Sequence, residues 1–200
     1  MSAIKISELT GASLPLTGNE LLELSQSSGG GYGSVNATSS DVSYAGVKVG
    51  SFYDLTDQTG NIAAATAVKF GSNDINTKGV TVVTDGSNLT RITYAAAGTY
   101  MIAPSLQLAN SDASDHTATV WFAKNGTALA SSATICNIPK ASAGGAAFFQ
   151  IVYYVTVAAG DYLQVMWLPS NAAVTIEHTA AGAVAPAIPS AIVVTERIDL

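Results

Sequence analysis

The chain has 200 residues, 48% of them hydrophobic and only 11% charged, with a formal net charge of −6. That length suits one domain plus an appendage and can bury a core without disulfide staples; the single cysteine, Cys136, forms no intrachain disulfide. The eight lysines and arginines are scattered singly, whereas phosphate neutralisation needs clustered cations, so nucleic acid is excluded as a partner and an anionic membrane surface is disfavoured.

In chain order, residues 1–28 stand apart. The start, MSAIKISELTG, lacks the apolar core of a secretory signal. No apolar run reaches the ~18 residues of a membrane helix, so the expectation is a soluble chain made in a cytoplasm, without membrane insertion. The densest acidic cluster is here, Glu8, Glu20 and Glu23. Thr17 followed three residues later by Glu20 reads as a capping box and predicts a short helix over Gly18–Leu24. Such a helix is too short to stand alone and must pack on something. The apolar residues available to do so are Ile6, Leu9, Leu14, Leu16, Leu21, Leu22 and Leu24. Residues 29–46 follow as a Gly/Ser-rich joint, opened by SSGGGYGS at 27–34, which predicts flexibility. GGGYG is a poor phosphate cradle, because no strand precedes it and no helical pattern follows.

Residues 47–200 read as one domain of strand after strand. GSFYDLT (50–56), TAVKF (66–70), GVTVV (79–83), LTRITY (89–94), GTYMIAPSLQLA (98–109) and TATVWFAKNG (117–126) come first. ATICNI (133–138), AAFFQIVYYVTVAAG (146–160), DYLQVMWL (161–168), AVTIEH (173–178) and IVVTERI (192–198) complete the series. They are rich in β-branched and aromatic residues and are punctuated by Gly, Asn, Asp and Pro. Asn125-Gly126 in KNGT suits a tight hairpin, and AAGD (158–161) links two strands. About ten strands in roughly 150 residues imply a sandwich or barrel.

Alternation assigns the faces. In 147–157, Phe149, Ile151, Tyr153, Val155 and Val157 form a core face, while Phe148, Gln150, Val152, Tyr154 and Thr156 form the other. The second face is aromatic and neutral, unlike a solvated sheet face. In 163–167, Leu163, Val165 and Trp167 oppose Tyr162, Gln164 and Met166. Globular domains usually carry about 25% charged residues, so the shortfall and the second apolar face together predict surface covered by other subunits. The candidate interface residues are Phe148, Val152, Tyr154, Tyr162 and Met166.

No constellation for catalysis is legible, and no catalytic, cofactor-binding or metal-ligating residue is assigned. His116 lies in the polar loop NSDASDH (110–116) with Asp112 and Asp115, and His178 follows Glu177 at a strand end. Asn110, Asp112 and Asp115 are oxygen donors, but the Gly and distal Glu of a strong calcium loop are missing. Cys136 sits between apolar residues in TICNI with no activating charge beside it. Trp121 and Trp167 fall mid-strand, which favours packing over sugar stacking. Of the Asn-X-Ser/Thr sites at Asn36, Asn88 and Asn125, the last is explained by the hairpin turn.

Four segments in order carry a family resemblance: AAAGTYMIAPSLQL (95–108), VWFAKNGTALASSA (120–133), VAAGDYLQVMW (157–167) and PAIPSAIVVTERI (186–198). Residues 50–198 resemble the jelly roll of the tumour necrosis factor and complement globular-head superfamily, most closely its bacteriophage versions. KISELTGASLPLTGNELLELSQ is similar to the opening of many phage structural proteins, where it serves as a virion attachment segment. The resemblance implies an all-β, ten-stranded sandwich that assembles as a homotrimer, carried on a short N-terminal arm (1–28) bearing the attachment residues named above. It also implies a place in the virion, on the capsid or tail, as a decoration, cement or fibre protein. The alternative is a receptor- or glycan-binding tail-fibre head presenting the 110–116 and 139–145 loops to a host surface glycan or protein.

Overall fold

The computed structural model describes residues 21–28, 31–38, 48–73 and 77–199. The chain divides into two compact units, Met1–Val47 and Lys48–Leu200.

In the first unit, β1 (Leu21–Ser28) pairs antiparallel with β2 (Gly31–Thr38), in unbroken register from Leu21↔Thr38 to Ser28↔Gly31. This corrects two expectations. The predicted helix gives way to a strand from Leu21 onward, and most of the Gly-rich stretch at 27–34 belongs to paired strands. A seven-residue helix would leave most of its backbone groups without intrahelical partners. An antiparallel pair satisfies them along its length. Leu21, Leu22 and Leu24 therefore lie on β1; Ile6, Leu9, Leu14 and Leu16 lie outside the described residues.

The second unit is an all-β sandwich. Its first sheet is built on β9 (Gly98–Asn110), thirteen residues in strict alternation of buried and half-buried positions from Thr99 on. One edge of β9 carries β13 (Ala146–Gln150) and β14 (Tyr153–Val157). The other carries β17 (Ala191–Arg197) and β16 (Val174–Ile176), which pair in turn with β3 (Val49–Asp54) and β4 (Gln58–Thr59). β6 (Ser72–Asn73) closes the outer side of β3. The second sheet runs from β7 (Val80–Asp85) through β8 (Asn88–Tyr94) and β15 (Tyr162–Pro169) to β10 (His116–Lys124). β11 (Thr127–Ala128) and β12 (Thr134–Ile138) pair with β10, and β5 (Thr66–Ala67) pairs with β15.

The chain passes from one sheet to the other between β8 and β9, β9 and β10, β12 and β13, and β14 and β15. Apart from the β7–β8 and β10–β11 hairpins and β12, which returns to β10, hydrogen-bonded neighbours are separated in the chain by excursions into the other sheet, as in a jelly roll. Ten strands of this unit, among the described residues, are five residues or longer, in keeping with the expected ten-stranded sandwich.

One predicted strand is divided. The 146–160 run is β13 and β14, interrupted at Ile151–Val152 although the register against β9 continues unchanged. That register sets Ile151 opposite Pro104. Ile151 N donates to Pro104 O at 3.5 Å, but proline has no N–H to return the bond. The ladder lapses there without a bulge.

The core fills the space between the sheets. Trp167, Tyr94, Tyr100, Phe70, Phe122, Ile92 and Leu163 are its largest fully buried side chains. The Tyr94 and Tyr100 rings pack 4.4 Å apart. Burial pushes the Tyr94 hydroxyl well above the ordinary tyrosine range, and it is satisfied by Thr195 Oγ1 at 3.2 Å.

Candidate oligomer interface

Because side chains alternate along a strand, the rows that fill the core leave a complementary set pointing outward from each sheet. On the β9 sheet the outward set begins at the edge strands with Phe148, Gln150, Val152, Tyr154 and Thr156. The three large residues are strongly exposed, Phe148 at 57%, Val152 at 51% and Tyr154 at 59%. Their companions Phe149, Val155 and Val157 are buried, as the alternation predicted. The register then extends the face inward. Tyr154 lies opposite Met101 and Phe148 opposite Gln107. Beyond β9, Met101 faces Glu196, Ala103 faces Val194 and Ser105 faces Ile192. Ile192 in turn lies opposite Tyr53. Among the described outward residues of β13, β14, β9, β17 and β3, Glu196 alone is charged. At the far side, Tyr53, Leu55, Pro186, Ala187, Pro189 and Ile192 line an apolar depression of about 360 Å³.

The other sheet's outward side is different. Arg91 bridges to Asp85 at 2.8 Å and lies 4.7 Å above the Tyr162 ring. Gln164 is buried and donates to Asp85 at 3.2 Å and to Thr90 at 3.1 Å. Met166 is half-buried beside Trp121 and Ala67.

The five predicted interface residues therefore divide. Phe148, Val152 and Tyr154 share one face, while Tyr162 and Met166 belong to the opposite sheet and point away from it. The repeated alternation gave no information on which sheet each strand joins. The outward residues of β9, β17 and β3, above all Met101, Val194, Ile192 and Tyr53, extend the face of Phe148, Val152 and Tyr154 and were not singled out from the sequence. A legible signal existed: every second residue from Thr99 to Ala109 is uncharged.

The titratable groups that invited chemical readings are used in building loops. His116 Nε2 and Asp112 Oδ2 are 2.7 Å apart, and that bond holds the Asp112 carboxyl below its ordinary range. Asn110 donates to the carbonyls of Ser114 and Pro139, while Asp115 accepts from Lys140 N at 2.8 Å. The loops 110–116 and 139–145 are thus interlocked at one end of the sandwich. At another point, His178 donates its backbone N–H to Asp57 Oδ1 at 2.9 Å and sets Nδ1 2.7 Å from the same atom. Cys136 is half-buried against the core, and burial raises its thiol. Trp167 is fully buried, and its Nε1 has no hydrogen-bond partner among the described residues. Trp121 is half-buried on the outward side of β10. No group of three or more His, Cys, Asp or Glu among the described residues stands together as a metal site would require.

No protein-family model matches the sequence, and no curated protein matches it. Among solved structures, the chain is similar to crystal structures of murine APRIL at pH 8.0, pH 8.5 and pH 5.0. Each superposes with a TM-score of 0.47 and 10% identity, over 76% of this chain and 99% of the APRIL chain.

Proposed function

We propose that this chain is a phage virion structural protein, a capsid decoration, cement or fibre subunit that acts by binding rather than catalysis. Its jelly-roll head assembles as a homotrimer, and its N-terminal segment docks on other capsid or tail proteins. The observation that carries the reading is the outward face of the β9 sheet. Burying a face of Phe, Val, Tyr, Met, Ile, Ala, Ser and Gln returns about 25 cal/mol per Å² of apolar surface and strands almost no charge. The strongly exposed strands β13 and β14 sit at one side of this face, and the Tyr53–Ile192 depression sits at the other. Two different patches meeting head to tail form a heterologous contact, which gives a ring when its rotation closes and a filament when it does not, and the family resemblance selects the closed three-fold ring. The attachment role rests on the likeness of residues 5–26 to phage attachment segments. The titratable pairs support a binding role, since each is occupied in holding a loop.

The receptor-binding alternative draws on one observation, the interlocking of loops 110–116 and 139–145 into a single end surface. Sedimentation of the full chain is expected to give a trimer, and a stable monomer at micromolar concentration would overturn the interface. Deletion of residues 1–28 is expected to abolish co-sedimentation with particles while leaving the head folded. Continued docking by the truncated chain would refute the attachment role. Retention of a specific sugar on a glycan array would favour the receptor-binding head.

A further inference from the structure

The β10–β11 turn holds a chemical liability under guard. Asn125 and Gly126 both have positive φ, 51° and 80°, as the tight hairpin turn between β10 and β11 requires. An Asn-Gly pair is the sequence most open to deamidation. The Gly126 backbone nitrogen attacks Asn125 Cγ and the amide leaves as ammonia. Water then opens the resulting succinimide to aspartate or isoaspartate. Here the Asn125 amide is engaged at both ends. Nδ2 donates to Asp161 Oδ1 at 2.7 Å, and Oδ1 accepts from Tyr162 N at 3.0 Å. The backbone adds Asn125 N to Tyr162 O at 3.0 Å. Asp161 is itself fixed from the other side, since its Oδ2 accepts from Ala158 N at 2.8 Å and lies 3.8 Å from Lys124 Nζ. The 125–126 hairpin turn and the 158–161 crossover turn are thus clamped together through one amide and one carboxylate, and the 125–126 turn is exposed to water.

We propose that Asn125 is a guarded deamidation site, in which Asp161 and the Tyr162 N–H hold the amide away from the Gly126 nitrogen, and whose conversion to aspartate unlocks the two turns. Attack on Cγ needs the side chain to rotate, so both bonds must first open. The reaction then runs through the locally open population. The product places a second carboxylate where the amide donated to Asp161 Oδ1. One donor is lost and two like charges face each other at hydrogen-bond distance. The first conversion therefore weakens the clamp that restrained it. β14, which ends in the 158–161 turn, is then held to the β10–β11 hairpin by Lys124 Nζ donating to Thr156 O at 3.3 Å.

The test follows Asn125 conversion by peptide mapping of the intact chain at mildly alkaline pH, alongside the same chain unfolded in urea. The folded chain is expected to convert at least about tenfold more slowly, since charge-assisted hydrogen bonds must break first. Equal rates would overturn the guard. Asp161→Ala, checked as folded by near-ultraviolet circular dichroism, is expected to recover most of that difference; an unchanged rate in the folded variant refutes the role of Asp161. If Asp161→Ala does not fold, Asp161→Asn keeps an acceptor for Ala158 N and supplies the same comparison. The unlocking is tested separately. Asn125→Asp, which keeps both the left-handed backbone and the acceptor for Tyr162 N, is expected to melt below the unmodified chain at neutral pH, with the gap narrowing in acid as the paired carboxylates protonate. Identical melting points at neutral pH would refute it.

Discussion

The two sheets of the head have inner faces of one kind and outer faces of two kinds. Inward, both are aliphatic and aromatic. Outward, the β7–β8–β15–β10 sheet carries the Arg91–Asp85 ion pair, with Arg91 over the Tyr162 ring and Gln164 bonded to Asp85, while the β9 sheet presents Phe148, Val152, Tyr154, Met101, Val194 and Ile192. Covering the first would take the Arg91–Asp85 pair out of water, and desolvation of an ion pair consumes most of what its attraction returns. Covering the second removes carbon and satisfied backbone from water. The difference teaches that the low charge of this chain is not spread evenly. It is concentrated as an absence on one face, which is where a partner costs least.

The largest expected effect breaks this comparison directly. Val152→Asp combined with Tyr154→Asp places two charges on the apolar face, and the few aromatic hot spots of an interface contribute about 2 kcal/mol or more each. Sedimentation velocity is expected to show loss of the trimer, with the head still folded. Tyr162→Ala on the opposite sheet is expected to leave the trimer intact. If both variants dissociate equally, the two faces do not differ in the way argued.

A second pair of substitutions sharpens the contrast within one strand. Trp167 and Met166 are neighbours on β15 that point to opposite sides. Trp167→Ala empties a fully buried site and is expected to cost about 3–5 kcal/mol. Met166→Ala, half-buried on the outward side, is expected to cost about 1 kcal/mol. Urea denaturation midpoints read both. Trp167→Phe is expected to cost less than its volume alone suggests, because it removes an indole N–H that has no partner among the described residues.

The jelly roll was largely readable because alternation in a two-layer sandwich reports burial directly. Phe149, Val155, Leu163, Val165 and Trp167 all lie where period two placed them. The outward apolar face was readable by strand but not by sheet. Tyr162 and Tyr154 look alike in their local sequences, and only the crossover between β14 and β15 sends them to opposite sides. The break at Ile151 depends on Pro104, forty-seven positions earlier, so nothing local announces it. The β1–β2 hairpin was hidden by Thr17 and Glu20, whose capping pattern is real but too weak to hold so short a helix against a full antiparallel ladder.

The smallest effect concerns neither face but an ionic contact at the end of the β9 sheet. The Asp57 carboxyl is held below its ordinary 3.8, first by the His178 backbone N–H and next by the His178 side chain. A carboxyl depressed on folding contributes stability that is fully present above its unfolded value and is lost as pH falls through the folded one. The window therefore lies below about pH 3.8. Asp57 is more than half exposed, with 57% of its side chain accessible, so solvent screening keeps the contribution under about 1 kcal/mol. Asp57→Asn is expected to flatten that part of the stability–pH curve. His178→Ala is expected to flatten it only partly, because the backbone N–H that dominates the shift remains. If His178→Ala removes the whole acid dependence, the side chain rather than the backbone sets the Asp57 carboxyl.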